Sequence, residues 1–340
     1  MKNHVLPKKM GPIRGICGVW GIRYGRVLCL GCAVGLGLLT LRGCLAARRS
    51  EPDGVGNGAA VIAVYDHREE AVRRMDLEDY VLGVTAGEMP ASFPEEALKA
   101  QAVAARTYAL YHMGKGGCGK TGADVCTSSA CCQAYCSDAR MREKWGRAYR
   151  ANREKLLSAV SATAGEVLLY EGAPIDALYH SASGGRTENA GDVYTTDVPY
   201  LKSVMSTAET GTNRLAGEKR MGRKDFCALV NGKWPGAKLS AGSLEKEFTV
   251  TETLPSGRVK TVQVGNETHT GRELRSLLGL DSTLFSVSCT AEEIVFSTKG
   301  YGHGVGMSQT GANAMALGGR TYAEILLYYY TDVTLGRMAG

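Results

Sequence analysis

Apolar positions are spread unevenly along the 340-residue chain, and their spacing changes character three times. The first feature is an unbroken apolar run, Val27–Leu41 (VLCLGCAVGLGLLTL). Fifteen residues fall short of the roughly 20 that a membrane-crossing helix needs. Extension through Arg42 to Ala46, with the Arg42 head snorkelling to the interface, approaches that length. Residues 47–60 (AARRSEPDGVGNGA) carry no apolar period and read as a linker. Val61–Tyr65 (VIAVY) is a β-branched run that predicts a strand. Asp76, with Asp79 three positions on, marks the start of a helix over Leu77–Ala86, which stops near Gly87-Glu88-Met89-Pro90. Ser92 and Glu95 have capping-box spacing with Pro94 in the first turn, and a helix over Phe93–His112 follows. Leu98, Ala102, Ala105 and Ala109 would give it one small, close-packing face.

From residue 165 onward short β-rich runs alternate with glycine and polar turns. Val167–Tyr170, Asp176–His180, Phe248–Thr253, Val259–Val264 and Ile294–Phe296 are predicted strands. Thr321 and Glu324 form a second capping-box pattern before a helix over Tyr322–Tyr330. The expected fold is α+β, mixing helices with short-stranded sheets. The strands are not regularly spaced by helices, so a parallel Rossmann sheet is not indicated.

Charge divides the chain where hydropathy does. Residues 1–49 hold nine Lys/Arg and no Asp/Glu, leaving 31 basic and 34 acidic residues in the rest. The net charge of +6 therefore belongs to the N-terminus, and the body gives no argument for nucleic-acid binding. Lys2, Lys8, Lys9, Arg14, Arg23 and Arg26 precede the apolar run. Basic residues before an apolar stretch mark a signal anchor or a cleaved export signal, here ending near Ala46. The anchor is the expected reading, and Arg42-Gly43 before Cys44 is a poor lipobox. It gives a basic cytoplasmic segment 1–26, a membrane helix 27–46, a linker 47–60 and an extracytoplasmic domain 61–338.

Three features could carry chemistry. Glu88 lies between two predicted helices, just before Met89-Pro90. A carboxylate at such a corner can sit at a cleft rim with a raised pKa and act as a general acid, or be an exposed helix-end glutamate. Cys118, Cys126, Cys131, Cys132 and Cys136 crowd into nineteen residues, which suits tetrahedral zinc or disulfides, and free thiols stay open. Gly300–Gly311 (GYGHGVGMSQTG) is glycine-rich and contains His303, either structural or functional. It lacks the Gly-Lys-Ser/Thr of a phosphate loop. Its glycines would instead let backbone approach a sugar polymer or a neighbouring strand. Ser308, in Gly-Met-Ser-Gln-Thr, misses the final glycine of a hydrolase nucleophile elbow, and Ser181 and Ser183 do not complete the pattern either.

Three longer stretches, Tyr80–Leu110, Tyr179–Val204 and Gly300–Leu317, together resemble the stage II sporulation protein D family across most of 61–335. The resemblance implies a peptidoglycan lytic transglycosylase of spore engulfment. Such an enzyme cuts the MurNAc–GlcNAc bond of peptide-free glycan strands and leaves 1,6-anhydro-MurNAc ends. It would sit in the mother-cell membrane with its domain in the engulfment space, beside stage II sporulation proteins P and M. It places the catalytic glutamate of the Glu-Met-Pro motif at Glu88. It also places Lys99, Gln101, Arg106, Tyr200 and Lys202 along the cleft, with Lys99 and Arg106 on one helix face, and His303 is taken as a further candidate substrate contact. Surface pairing with Glu95 or Glu96 is the other reading of those two cations. The family's zinc loop runs His, Cys, His, Cys. Here Cys126 and Cys132 take the cysteine positions, Cys131 stands at the second histidine and Lys120 at the first. A structural zinc on Cys118, Cys126, Cys131 and Cys132 is expected, with Cys136 as the alternative fourth ligand. The same resemblance extends to non-catalytic amidase enhancers, which is the second functional reading.

Overall fold

The computed structural model describes residues 60–194, 196–209 and 215–337. The anchor and all but the last linker residue lie outside the described residues. Among the described residues no helix is long and apolar enough to cross a membrane.

Val61–Asp66 (β1) turns back antiparallel onto Ala71–Asp76 (β2). Asp76 then caps the next helix, accepting bonds from the backbone N–H groups of Glu78 and Asp79, and Leu77–Glu88 (α1) follows. That helix ends because the chain must be extended before Pro90, and Met89 is extended at φ −115°, ψ 145°. The long helix α2 runs Glu95–Gly114. The expected Ser92–Glu95 capping box does not form. Pro94 occupies the N-cap position without a side-chain cap, and Lys155 ties the turn down by donating to the carbonyls of Ala91 and Phe93.

Helix α2 is buried on nearly every side rather than along one face. Leu98, Ala100, Val103 and Ala104 join one core, while Ala102, Ala105 and Ala109 join a second core with α1 and β1. Its alanines permit this, because small side chains let neighbours approach from all directions. Val125–Cys126 (β3) adds parallel to β1. Two helices, Asp138–Trp145 (α3) and Tyr149–Ala162 (α4), follow; α4 packs against both α1 and α2. They are rich in charge, with no clear apolar period, and were not expected.

Glu166–Tyr170 (β4), Ala173–Pro174 (β5), Tyr179–His180 (β6) and Gly185–Arg186 (β7) come next. The strand expected at Asp176–His180 shrinks to β6, because Leu178 N–H turns back onto the Asp176 carbonyl. A short helix, Ala190–Val193 (α5), precedes Met205–Ser206 (β8), which pairs with β7.

Residues 216–299 then form a lobe around their own apolar core. Its elements are Ala216–Gly222 (β9), Arg223–Lys233 (α6), Leu244–Glu247 (α7), Phe248–Thr253 (β10), Val259–Val264 (β11), Glu267–Thr270 (β12), Gly271–Leu278 (α8), Phe285–Cys289 (β13) and Glu293–Lys299 (β14). One sheet has the order β13-β14-β9 and the other β10-β11-β12.

The glycine-rich segment returns to the main body. Met307–Ser308 (β15) pairs parallel with β6 and leads into Gln309–Leu317 (α9). Gly306, at φ +72°, lies so close to β6 that an added Cβ would sit 1.9 Å from the Leu178 carbonyl oxygen. The tight approach that these glycines allow is to a neighbouring strand. Thr321 and Glu324 form the expected capping box on Tyr322–Tyr329 (α10), and Thr334–Arg337 (β16) closes the fold antiparallel to β4.

Candidate active site

Glu88 is the last residue of α1 and reaches into a cavity of about 480 Å³. The walls come from four places. The α1–α2 turn gives Met89 to Phe93, the α3–α4 region gives Lys144, Trp145 and Asn152, β6 is followed by Ser181, and α9 opens with Gln309 and Thr310. Glu88 is the one carboxylate among these lining residues.

Its carboxyl is half-buried and fully engaged. Oε1 accepts from the Ala134 N–H at 2.6 Å, and Oε2 accepts from Gln309 Nε2 at 3.1 Å. The Tyr179 hydroxyl is also within bonding reach. Burial raises the Glu88 pKa above the ordinary carboxylate value, and the bonds from Ala134 and Gln309 only partly offset it. The result is a carboxyl that holds its proton to higher pH while keeping donors ready for its ionised form.

Glycines in α1 make the Ala134 contact possible. A Cβ on Gly87 would sit 2.5 Å from the Ala134 carbonyl oxygen, and one on Gly83 would sit 2.1 Å from the Tyr135 ring. The 133–136 segment therefore lies directly on α1, and Cys136 N–H donates to the Gly83 carbonyl. Gly87→Ala should displace that segment. We expect a loss of about 1–3 kcal/mol in denaturant unfolding.

The other expected cleft residues have different places. Gln101 is buried one step behind Glu88, its Oε1 accepting from the same Gln309 amide at 3.3 Å. Lys99 pairs with Glu96 at 2.8 Å and Glu95 at 3.2 Å, away from the cavity lining. Arg106 does not face a cleft. It is fully buried and grips Glu78 with two bonds of 2.6 and 2.5 Å, with a third to the Glu166 carbonyl. The middle of α2 is covered by α1 and β4, so the face it shares with Lys99 meets solvent only at its first turns. Arg106→Ala leaves the Glu78 carboxylate buried without its cation, and should cost about 3–5 kcal/mol in urea unfolding.

Tyr200 is buried against Tyr170, its hydroxyl accepting from the Asp176 N–H at 3.3 Å. Lys202 pairs with Asp197 at the surface, at 2.7 Å. Neither residue lines the Glu88 cavity. His303 sits between the His180 and Tyr194 rings, and its Nδ1 accepts from the Val305 N–H at 3.1 Å. Burial, with Arg275 near it, pushes its pKa down to about 4, so it is a neutral acceptor shaping its own loop.

Beside the cavity, the Sγ atoms of Cys118, Cys126, Cys131 and Cys132 all lie within 4.8 Å of one another. Cys136 stands outside this group. The Cys131 and Cys132 sulfurs are 3.8 Å apart. That is about the edge of a tetrahedron with Zn–S bonds of roughly 2.3 Å, so the four thiols fit a zinc ion in both donor type and spacing. Gln133 and Ala134, which follow this cluster directly, are the residues that reach toward Glu88.

Sequence reasoning missed Gln309, Tyr179, Gln133 and the Lys144–Trp145 wall. Gln309 and Tyr179 lie inside the motif stretches, but nothing in their spacing sets them against Glu88. Trp145 sits in a charged segment without a motif.

Comparison with known proteins agrees with the motif stretches. The family model described as stage II sporulation protein matches residues 65–170. Stage II sporulation protein D of Bacillus subtilis (strain 168) is 37% identical over 79% of this chain and 77% of its own length. The protein of the same description from Bacillus amyloliquefaciens is 35% identical over 81% of this chain and 78% of its own. The amidase enhancer of B. subtilis is 33% identical over 74% of this chain but only 40% of its own length. The length and identity of the first two matches, with a family model that covers Glu88, make the chain a member of the stage II sporulation protein D family.

Proposed function

We propose that this sporulation protein is a peptidoglycan lytic transglycosylase acting on peptide-free glycan strands, with Glu88 as acid and then base. The observation that carries the reading is a single half-buried carboxyl in a cavity lined by no other carboxylate among the described residues. A retaining or inverting glycosidase needs two carboxyl groups across the bond it cuts. A transglycosylase needs one. Protonated Glu88 gives its proton to the glycosidic oxygen as the bond to the MurNAc anomeric carbon breaks. The resulting carboxylate takes the proton of that sugar's C6 hydroxyl, whose oxygen closes onto the anomeric carbon. The acid is regenerated and no water is consumed. Trp145 offers an apolar platform for a sugar ring and Asn152 polar contacts, both at the cavity wall.

The cysteine cluster is read as a structural zinc site held by Cys118, Cys126, Cys131 and Cys132. The ion would supply a cross-link rather than chemistry, fixing the loop from which Gln133 and Ala134 reach the catalytic carboxyl.

The wider setting rests on the sequence. The basic segment and apolar run fit a single-pass anchor holding the domain outside the cytoplasm, on the mother-cell membrane facing the engulfment space. The requirement for peptide-free strands makes an upstream stem-peptide amidase, stage II sporulation protein P, the natural companion, with protein M assisting. The partial likeness to the amidase enhancer supports a second reading, in which the domain binds glycan and stimulates a partner hydrolase. Incubating the purified full-length chain with peptide-free and with intact strands separates the two. Shortening of the peptide-free strands alone supports the enzyme. No shortening of either, with acceleration of an added amidase, supports the enhancer.

A further inference from the structure

The one-carboxyl reaction asks opposite things of Glu88. As an acid it should lose little by holding its proton, and as a base its carboxylate should find a donor. A fixed donor helps only the second state. Two residues beside Glu88 have the geometry to serve both.

The orientation of Gln133 is settled by its neighbours. Its Nε2 lies 3.5 Å from the Ala105 carbonyl oxygen, which can only accept, and 3.2 Å from the Tyr80 hydroxyl. The amino edge therefore faces those groups, and Oε1 faces Tyr179. That oxygen has no proton, so Tyr179 must donate to it, and does so at 2.7 Å. The same Tyr179 hydroxyl is within reach of the Glu88 carboxyl. A phenol has one proton. While it points at Gln133, the phenol oxygen presents only lone pairs to Glu88, which favours the protonated acid.

We propose that Tyr179 and Gln133 are positioning residues that form a two-position hydroxyl switch for Glu88, an inference that rests on the acid–base role assigned above. When Glu88 is protonated, the Tyr179 hydroxyl donates to Gln133 Oε1. When Glu88 has given up its proton, the hydroxyl turns about its C–O bond and donates to the carboxylate. Taking the C6 proton returns it to Gln133. Tyr179 keeps its proton throughout, since burial raises its pKa well above the usual phenol value. No bond at Tyr179 breaks and no net charge moves. The other titratable groups facing Glu88 are Tyr80 on α1 and Lys144 on α3. Tyr80 has Gln133 Nε2 donating to it, and Lys144 Nζ donates to the Ala86 carbonyl. Neither competes for the Tyr179 proton.

The test is the titration of the Glu88 side-chain carboxyl in the full-length chain, followed by carbon NMR and assigned by its disappearance in Glu88→Gln. Gln133→Met removes the competing acceptor and frees the phenol proton for the carboxylate. The Glu88 midpoint should fall by about one pH unit, and in the Tyr179→Phe background the same Gln133 change should leave it unmoved. An unshifted midpoint in Gln133→Met, or a shift that persists in the Tyr179→Phe background, overturns the switch. If the Gln133 variant does not fold, 3-fluorotyrosine at position 179 reads the same contact, being a stronger donor and weaker acceptor of nearly the same shape. It should also lower the midpoint, and an unchanged value overturns the proposal. The titration needs no glycan, so its failure is distinct from an absence of cleaved product.

Discussion

Glu88→Gln should abolish glycan cleavage while leaving the protein folded and no less stable. Positioned proton transfer contributes about 10²–10⁴-fold for one step. Glu88 serves two steps, so a loss of at least roughly 10³-fold is expected in strand-shortening assays. The glutamine oxygen can keep the Ala134 bond, the Gln309 amide need only turn to offer its oxygen to the new NH2 group, and the side-chain volume is unchanged, so packing around Met89 and Gln309 survives. The sign of the stability effect follows from the raised pKa. Folding raises the affinity of Glu88 for its proton, so its contribution is most favourable below the ordinary carboxylate pKa. It is lost as pH rises through the folded value. At neutral pH the ionised carboxyl is thus a cost, and Glu88→Gln removes it. The variant should melt at or slightly above the wild-type temperature at pH 7, with the difference vanishing in acid. Wild-type activity should decline as pH rises past the raised pKa, because the acid form is then depleted. A variant that unfolds, or that still cuts strands at near wild-type rate, would contradict the assignment.

Loss of the proposed zinc should be the other large effect. If the four thiols hold zinc as proposed, Cys132→Ser, or treatment with a strong chelator, removes the cross-link that would set Gln133 and Ala134 against α1. A destabilisation of about 4 kcal/mol or more is in the range of metal loss, or roughly 10 °C for a body of this size. Activity should fall with it, because Glu88 Oε1 depends on the Ala134 N–H. Elemental analysis should find one zinc per chain in wild type and in Cys136→Ser, and little in Cys118→Ser or Cys132→Ser. Full zinc in Cys118→Ser would return the fourth position to Cys136. No zinc in the wild type would remove the metal altogether.

Local signals in the chain served well where one residue decides an outcome. Asp76 and Thr321 start their helices, and Phe248–Thr253 and Val259–Val264 pair as strands with the expected bounds. The same signals failed where tertiary contacts outvote them. Ser92 has capping-box spacing, yet Pro94 and Lys155 decide how α2 begins. Lys99 and Arg106 share a helical face by arithmetic, but burial depth changes along α2 and puts Arg106 in an ion pair. The α3–α4 pair carries so much charge that no apolar period exposes it, although it supplies a wall of the cavity. In the site, Glu88 was legible through the Glu-Met-Pro motif, and four of the five clustered cysteines come together. Gln309, 221 residues further along the chain, could not be linked to Glu88 without the fold. Gln133 and Tyr179 act through orientation, which leaves no trace in spacing.

The central claim is that one carboxyl, Glu88, makes the sugar's own C6 hydroxyl the nucleophile. The sharpest test is to cut peptide-free glycan strands in heavy-oxygen water and weigh the new MurNAc ends. Glu88 working alone predicts 1,6-anhydro ends that carry no heavy oxygen, because water takes no part. Reducing ends that carry heavy oxygen would show hydrolysis and contradict the mechanism.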